Sequence, residues 1–269
     1  MLGIFDSGFG GLTVFKEIKK SLPDYSYIYL GDNLRSPYGG RSQEIIYEYT
    51  LQAVDFLFKQ NCELVILACN TASSEALRKL QQEWLPNNYP NKRILGVIRP
   101  LAEEAARASL SGKIGVVGTK ATIESKAYAR ELKRLKKEVK VFEQACPLLV
   151  PLVEEGWLDK IETRMVIKNY LRPLKDRQID TLILGCTHYP LLMKQFIRVC
   201  GKKIKVLNAP EIVAKKLVDY LSRHPEVESR LEKKSAISFL TTGEIGKFNE
   251  LGSRFYGQFI KSEKVVLNY

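Results

Sequence analysis

The chain alternates short apolar runs with longer amphipathic stretches along most of its length. Short runs rich in Val, Ile and Leu predict buried strands, and apolar positions spaced three or four residues apart predict helices. The predicted strands are Leu2–Phe5, Tyr25–Leu30, Leu64–Ala68, Ile94–Val97, Ile114–Val117, Val139–Glu143, Thr181–Leu184, Ile204–Leu207, Ile237–Leu240 and Val265–Leu267. The predicted helices between them include Gln43–Gln60, Thr122–Lys136 and Glu211–Ser222. Because strands and helices alternate, the sequence predicts an α/β fold with mostly parallel sheets.

Two segments of the chain resemble each other around a cysteine. Glu63–Thr71 and Asp180–His188 each contain an acid, an apolar strand, a small residue, a cysteine and a polar pair. A weaker similarity, of a kind that chance also produces, links Gly3–Gly8 with Gly115–Thr119. Ten strands are also many for a single sheet in a chain of 269 residues. The sequence therefore predicts two pseudo-symmetric α/β halves.

Prolines mark the predicted boundaries between these halves. One follows the fourth predicted strand, in Val97–Pro100, and another follows the eighth, in Asn208–Pro210. The residue before a proline is biased away from helical backbone, so such positions favour a break between elements. We expect residues 1–97 plus 209–269 to form the first domain and residues 98–208 to form the second.

Composition narrows the class of protein. With 45% hydrophobic and 27% charged residues, the chain is typical of a globular protein. Its apolar runs are too short to span a membrane. The N-terminal stretch lacks a basic region followed by an apolar one, so we expect no signal peptide, no membrane contact and a cytoplasmic protein.

The net charge of +12 raises the alternative of a binding protein for nucleic acid or another acidic partner. However, the Lys and Arg residues are spread through predicted helices, for example Arg130–Lys140 and Arg230–Lys234. Cations distributed in this way usually form a solvated helix surface. The distribution of Lys and Arg therefore does not support nucleic-acid binding, which stays an alternative.

The five cysteines form no CxxC pair, so we expect reduced thiols rather than a disulfide framework or a zinc site. Cys62, Cys146 and Cys200 are interpreted as core residues. Cys69 and Cys186 differ from these three because each stands between a predicted strand and a helix, with polar residues directly after it. At such a place the helix dipole lowers the pKa of a thiol.

One thiol in each of two similar halves suits the inversion of a carbon centre. One thiolate removes a proton from one face of the carbon, and the other thiol returns a proton to the opposite face. Asp6, at the end of the first predicted strand, could take a proton, hold an ammonium group or cap the next helix. His188 could move protons or orient a carboxylate.

A second enzyme class uses one of these cysteines only. Cys186, His188 and Glu154 could act as nucleophile, base and orienting group, as in thiol amidases. That reading predicts an acyl-enzyme and needs no contribution from Cys69. On the sequence alone, Glu154 is an unremarkable residue near a predicted helix end.

Five motifs, in order, resemble those of the glutamate racemases within the aspartate/glutamate racemase superfamily. They are FDSGFGGL from Phe5, GDNLRSPYG from Gly31, ACNTAS from Ala68, CPLLVPLVEEG from Cys146 and GCTHYP from Gly185. The resemblance implies two α/β domains with the active site in the cleft between them. It also implies interconversion of L- and D-glutamate without pyridoxal phosphate or metal, D-glutamate for peptidoglycan, and a homodimer. Gyrase binding, known in some of these racemases, stays open, and aspartate is the nearest alternative substrate.

The resemblance also implies roles for individual residues. Cys69, assisted by Asp6, would deprotonate D-glutamate, and Cys186, assisted by Glu154 and His188, would deprotonate L-glutamate. The implied substrate contacts are Asp6, Ser7, Tyr38, Gly39, Asn70, Thr71, Thr187 and His188. One position departs from the family pattern, since Arg99 stands where the family commonly has an acid.

Overall fold

The structure, a computed structural model, describes residues 1–267. Its strands are β1 (Leu2–Asp6), β2 (Tyr27–Gly31), β3 (Leu64–Leu67), β4 (Arg93–Gly96), β5 (Lys113–Gly118), β6 (Lys140–Ala145), β7 (Thr181–Gly185), β8 (Lys205–Val206), β9 (Ile237–Thr241) and β10 (Ser262–Lys264). Its α-helices are α1 (Leu12–Ser21), α2 (Gln43–Lys59), α3 (Asn70–Glu75), α4 (Leu77–Lys79), α5 (Leu85–Asn88), α6 (Ile98–Ala108), α7 (Lys120–Glu124), α8 (Ala127–Leu135), α9 (Leu149–Glu154), α10 (Ile161–Asp176), α11 (Met193–Cys200), α12 (Ala209–Arg223), α13 (Pro225–Glu228) and α14 (Ile245–Tyr256). A π-helical segment, Leu80–Trp84, separates α4 from α5, and a 3-10 segment, Tyr189–Leu192, precedes α11. Within this described range, no helix is both long and apolar enough to cross a membrane.

The strands form two sheets with the same internal order. The six-stranded sheet runs β10-β9-β2-β1-β3-β4, and the four-stranded sheet runs β6-β5-β7-β8. The paired strands of both sheets are parallel. The part β2-β1-β3-β4 of the first sheet matches the whole of the second, so β1 is equivalent to β5 and β3 to β7. This arrangement confirms the predicted α/β fold and its pseudo-symmetry.

The chain leaves the six-stranded sheet after β4 and returns to it after β8. Helix α6 begins at Ile98 and leads to β5, and Pro100 lies in its first turn, where a proline is tolerated. Helix α12 begins at Ala209 and leads back towards β9. The strands are thus divided between the sheets in the way the predicted domains divide them. The domain limits themselves remain a prediction.

Two predicted elements differ from the structure. The predicted helix Thr122–Lys136 is two helices, because Lys126 has a φ of +55°, a left-handed conformation that interrupts helical backbone. The predicted strand Val265–Leu267 is wrong, since the last strand is β10, which pairs with β9. The side chain of Leu267 is buried in an apolar cluster, and this packing produced the strand-like pattern. Pairing at a sheet edge depends on backbone hydrogen bonds, which an apolar pattern does not report.

The central strands are buried along their whole length. Every residue of β1, β3 and β7 is buried, as expected where helices cover both faces of a parallel sheet. One apolar cluster contains residues of both sheets, including Ile4 of β1 and Leu184 of β7. The two sheets therefore share part of their core, and this packing holds the carboxyl ends of their strands against each other.

We expect Leu182→Ala to lower the free energy of unfolding by about 2–5 kcal/mol, because Leu182 is fully buried on β7 and its truncation leaves a cavity. Denaturation with urea measures the change. Leu110→Ala is the matched control: Leu110 is 96% exposed, so its truncation should change stability by less than about 0.5 kcal/mol. Equal losses in the two variants would contradict the buried position of β7.

Candidate active site

The carboxyl ends of four strands meet where the two sheets touch. In each sheet the chain order reverses between two neighbouring strands, β1 and β3 in one and β5 and β7 in the other. Ligands of open parallel sheets bind beside such reversal points. The residues at these four ends are Asp6 with Ser7, Cys69, Thr119 and Cys186. The fold therefore brings both predicted thiols and Asp6 to one place.

Cys69 lies at the N-terminal cap of α3. Its Sγ accepts a hydrogen bond from the backbone N–H of Ala72 at 3.4 Å and lies 3.4 Å from Oγ of Ser7. Burial raises the pKa of the Cys69 thiol to about 11, and the charge of Asp6 adds to this rise. The hydrogen bonds from Ser7 and Ala72 oppose the rise because they stabilise the thiolate.

Cys186 follows β7 directly, and its Sγ lies 4.0 Å from Nδ1 of His188. Burial raises the pKa of the Cys186 thiol, while the backbone N–H of His188 lowers it. Negative charge on Cys69 and on Asp6 raises the Cys186 pKa further. The two thiols therefore share one electrostatic environment, as a pair acting on one substrate would require.

The expectation that helix termini lower the pKa of these thiols is wrong. Cys69 and Cys186 are 5% and 6% exposed, and for both the cost of burying a thiolate is the largest influence on the pKa. Burial disfavours the charged form of an acid, and here it outweighs the backbone N–H groups. The thiols are therefore mainly protonated at neutral pH, and each thiolate is a strong base once formed.

Asp6 connects the two halves of the site. Its Oδ2 accepts a hydrogen bond from the backbone N–H of Gly8 at 2.9 Å, and its Oδ1 accepts one from the hydroxyl of Thr187 at 3.4 Å. Burial raises the pKa of the Asp6 carboxyl, and the nearby charge of His188 opposes that rise. A carboxyl group with a raised pKa exchanges protons closer to neutral pH than an ordinary aspartate does.

His188 links Cys186 to Glu154. Its Nε2 lies 3.0 Å from Oε1 of Glu154, and its Nδ1 faces the sulfur of Cys186. The side chain of His188 is 10% exposed and that of Glu154 is 32% exposed, so the pair reaches from the buried thiol towards solvent. The structure thus brings Glu154 to His188, a placement that the family resemblance implied and that residue chemistry alone did not indicate.

Thr71 belongs to a cluster of three hydroxyl groups that connects the two sheets. Its Oγ1 lies 2.9 Å from Oγ1 of Thr119 and 3.2 Å from Oγ1 of Thr122, and the latter two atoms are 3.0 Å apart. Asn70 is held similarly, because its Oδ1 accepts a hydrogen bond from the hydroxyl of Tyr128 at 2.6 Å. These contacts fix two predicted substrate-binding residues against the four-stranded sheet.

Thr119, Thr122 and Tyr128 were missed by the sequence analysis. Thr119 did have a signal, since the weaker similarity between Gly3–Gly8 and Gly115–Thr119 aligns it with Ser7. That similarity reflects the equivalence of β1 and β5 in the two sheets. Thr122 and Tyr128 had no comparable signal, because only the packing of α7 and α8 brings them to the site.

The loop after β2 carries Tyr38 and is anchored by a buried ion pair. The hydroxyl of Tyr38 donates to Asp32, whose carboxylate also pairs with Nε of Arg35 at 2.7 Å. The hydroxyl of Thr242 donates to the other carboxylate oxygen of Asp32 at 2.7 Å. The hydroxyl proton of Tyr38 is therefore used within the loop, where it holds Asp32.

Gly39 brings the same loop against the four-stranded sheet. Its carbonyl oxygen accepts a hydrogen bond from the backbone N–H of Ala121 at 3.0 Å. A Cβ atom at this position would lie 2.7 Å from Cβ of Thr119, closer than two carbon atoms can approach. The close contact explains why a glycine stands here.

A cavity of about 580 Å³ opens beside these residues. Gly39 and Thr119 line it, and its charged lining residues are Lys120, Lys247, Glu154 and Glu244. Its volume is in the range of small-molecule sites in proteins. The cavity borders the buried residues through Thr119, which contacts Thr71, and Glu154, which contacts His188.

The remaining cysteines lie away from this arrangement. All five cysteines are buried, and none is paired with another in the described residues. Cys62, Cys146 and Cys200 pack in apolar clusters, as predicted. Across residues 1–267, no group of three or more His, Cys, Asp or Glu side chains is placed to hold a metal ion.

Arg99 lies in the first turn of α6, on the surface. Its Nε donates to Oε1 of Glu103 at 3.1 Å, and its side chain is 72% exposed. Glu103 also pairs with Lys216 of α12 at 2.7 Å. The departure from the family pattern at this position therefore changes a surface ion-pair network, which contributes little to stability in such exposed settings.

The two parallel sheets bring two buried thiols and a buried aspartate together at the ends of their strands, an arrangement typical of an enzyme active site. The family model for Asp/Glu/Hydantoin racemase matches residues 11–217. The chain is also 42% identical to a glutamate racemase of Geobacter metallireducens, over 95% of this chain and 92% of the relative. The chain belongs to the Asp/Glu/Hydantoin racemase family.

Solved structures agree with this assignment. A glutamate racemase from Bacillus anthracis superposes with a TM-score of 0.91 at 36% identity, covering 99% of this chain and 97% of the other. A glutamate racemase from Francisella tularensis, solved in complex with D-glutamate, superposes with a TM-score of 0.88 at 30% identity, with the same coverage. The similarity therefore includes the whole fold, beyond the segment that the family model matches.

The raised pKa of Cys69 leads to a test by alkylation. With a pKa of about 11, the reaction of Cys69 with iodoacetamide should accelerate roughly tenfold per pH unit between pH 7 and pH 9, because only the thiolate reacts. A Cys186→Ser variant isolates the signal, and peptide mass spectrometry follows it. Free cysteine, treated in parallel, should level off near its ordinary pKa of about 8.5. A plateau for Cys69 below pH 8 would show that the helix terminus outweighs burial.

Gly10 allows a test of the contact between the two loops that carry the site. A Cβ atom on Gly10 would lie 2.2 Å from Oγ1 of Thr187 and 2.6 Å from Nδ1 of His188. We expect Gly10→Ala to lower racemase activity roughly 100-fold, because both side chains must move. Gly40→Ala is the control, since a Cβ there meets no atom within 4 Å. Polarimetry measures both, and equal activities would contradict the close contact.

Proposed function

We propose that the chain interconverts L- and D-glutamate by a two-base mechanism in which Cys69 and Cys186 are the proton-transfer groups. The observation that carries the proposal is the placement of these thiols at equivalent strand ends of two similar sheets, with Asp6 accepting a hydrogen bond from Thr187, the residue after Cys186. Glutamate as substrate is supported by the glutamate racemases that match nearly the full chain. The residues supply both acid–base groups, so the proposed reaction needs neither pyridoxal phosphate nor a metal ion.

The proton moves in opposite directions for the two substrates. From L-glutamate, the Cys186 thiolate takes the α-proton, which leaves a carbanion at Cα. The Cys69 thiol then donates its proton to the opposite face, which yields D-glutamate with Cys186 protonated and Cys69 as thiolate. D-glutamate reacts by the reverse path. Each turnover therefore leaves the proton on the other thiol, and the pair must hold one proton between them.

Each thiol has its own helper in this proposal. Asp6 lies near Cys69, and its charge raises the pKa of that thiol, which makes the thiolate a stronger base. His188 lies beside Cys186 and is held by Glu154. The Glu154 end of this pair is the more exposed, so it offers Cys186 a path for protons towards solvent.

Hydrogen-bond donors around the thiols suit the polar groups of glutamate. Ser7, Asn70, Thr71 and Thr187 are buried or nearly so, and their hydroxyl and amide groups can donate to carboxylate oxygens. The backbone of Tyr38 and Gly39 completes the proposed set of contacts, with His188 and Asp6. We propose Thr119 as a further contact, because its hydroxyl lies against that of Thr71.

The chemistry requires this degree of burial. An amino acid lacks an electron sink that would stabilise an α-carbanion, so the surroundings must stabilise the charge as it develops. Fixed donors in a site without water interact with developing charge more strongly than they would in bulk water. Burial of the thiols supports the same conclusion, because it makes their thiolates stronger bases.

The physiological part of the proposal rests on the same family. We propose that the D-glutamate serves peptidoglycan synthesis in the cytoplasm and that the enzyme works as a homodimer. Growth of a D-glutamate auxotroph, restored by the wild-type gene and not by a Cys69→Ser variant, tests the first part. Sedimentation analysis of the purified protein tests the second.

A thiol amidase remains the alternative that one observation favours. Cys186, His188 and Glu154 form a continuous chain of contacts, as a nucleophile, a base and an orienting group would. The 4.0 Å between sulfur and nitrogen is longer than most nucleophile–base hydrogen bonds, and this alternative leaves the placement of Cys69 unexplained. An amidase would release ammonia from glutamine and form a thioester on Cys186.

Racemisation of L-glutamate in D₂O tests the proposal directly. We expect the D-glutamate formed to carry deuterium at Cα, because the donating thiol has exchanged with solvent. Cys69→Ser and Cys186→Ser should each lower racemisation by roughly 10²–10⁴-fold, since each removes one acid–base group. Chiral chromatography with mass spectrometry measures both quantities. Wild-type rates in either variant would exclude the two-thiol mechanism, and Cys62→Ser serves as the control.

A further inference from the structure

The ring of Phe255 packs against the ring of His188. The two ring centroids are 5.1 Å apart and the rings meet edge to face at 78°. Phe255 is 3% exposed and lies in the last turn of α14. This helix connects β9 to β10 of the six-stranded sheet, beyond the segment that the family model matches.

His188 is therefore held from both halves of the molecule. Cys186 and Glu154, its partners in proton transfer, belong to the part of the chain that carries the four-stranded sheet. Phe255 and Gly10, which lie against its ring, belong to the part that carries the six-stranded sheet. The neighbouring Arg254 also reaches across, since its Nη1 lies 3.5 Å from the carbonyl oxygen of Glu154.

We propose that Phe255 is a positioning residue that sets the orientation of the His188 ring and thereby serves proton transfer at Cys186 and not at Cys69. The inference rests on the proposed two-thiol mechanism. An imidazole with Nε2 towards Glu154 and Nδ1 towards Cys186 keeps both contacts in one rotation of its ring only. Phe255 occupies the space into which the ring would otherwise turn.

The side chain of Phe255 packs within a cluster of buried aromatic rings. Phe9 packs on both Phe255 and Phe248, with centroid distances of 6.3 Å and 5.7 Å, and Phe248 packs on Tyr29 of β2 at 6.2 Å. Aromatic side chains that are already fixed in a buried cluster lose little more conformational entropy when they pack against a further side chain. The His188 ring is thus braced against the core of the six-stranded sheet.

The test must measure proton removal by each thiol separately, because the racemisation equilibrium ties the rates in the two directions to each other. L- and D-glutamate have equal free energies in solution, so kcat/KM for racemisation falls equally in both directions in any variant. Elimination of HCl from 3-chloroglutamate is free of this relation between the two directions, since it needs one base only. The thiolate takes the α-proton, the C–H electron pair forms a double bond to Cβ, and chloride leaves. The enamine then hydrolyses to 2-oxoglutarate and ammonium, and chloride release gives the rate.

We expect Phe255→Leu to slow elimination from the L-configured substrate, which uses Cys186, about tenfold. Elimination from the D-configured substrate, which uses Cys69, should change less than about twofold. Tyr256→Leu is the control, because Tyr256 is buried in the same turn of α14 but packs on Phe15 and Phe239, outside the cluster that holds Phe255. Its two elimination rates should keep the wild-type ratio, and thermal unfolding shows whether the two variants lose comparable stability.

Equal losses for both substrates in Phe255→Leu, or unchanged rates for both, would overturn the inference. The proposed mechanism has its own control in Cys186→Ser, which should abolish elimination from the L-configured substrate only. If Cys186→Ser keeps that activity, the two-thiol mechanism fails. If it loses that activity while Phe255→Leu leaves the ratio of the two rates unchanged, only the role of Phe255 fails.

Discussion

The contact between the loop after β1 and the loop after β7 is the constraint on which the site depends. Gly10 lies so close to Thr187 and His188 that any side chain at this position would displace them. This approach lets Asp6 accept a hydrogen bond from Thr187 and places Asp6 beside both thiols. Without it, Cys69 and Cys186 would lie at the ends of two separate sheets.

Burial sets the chemical character of the residues at this contact. The thiols of Cys69 and Cys186 and the carboxyl group of Asp6 all have raised pKa values, and burial is the main cause in each case. Such groups are harder to ionise, which costs free energy whenever a thiolate forms. In return, the thiolate is a stronger base towards a weakly acidic proton. Neighbouring N–H groups limit the cost because they stabilise the ionised forms.

Much of the fold could be read from the sequence because strands buried on both faces have a distinctive composition. The order of β and α elements followed from alternation, and the two similar segments around Cys69 and Cys186 indicated repeated halves. The errors arose where local backbone conformation decides, as at Lys126 and at the edge strand β10. The sign of the thiol pKa shifts was also wrong, because burial depends on packing from both sheets.

By itself, the sequence determined the fold class, the equivalence of two strand ends, and the motifs that place this chain in its family. These properties depend on residue type and on spacing along the chain. Only the tertiary structure showed that Thr119 contacts Thr71, that Phe255 packs against His188, and that the Tyr38 hydroxyl donates to Asp32. The contacts of Thr119 and Phe255 join elements far apart in sequence, and the contact of Tyr38 depends on the conformation of the loop after β2. Local residue patterns encode neither.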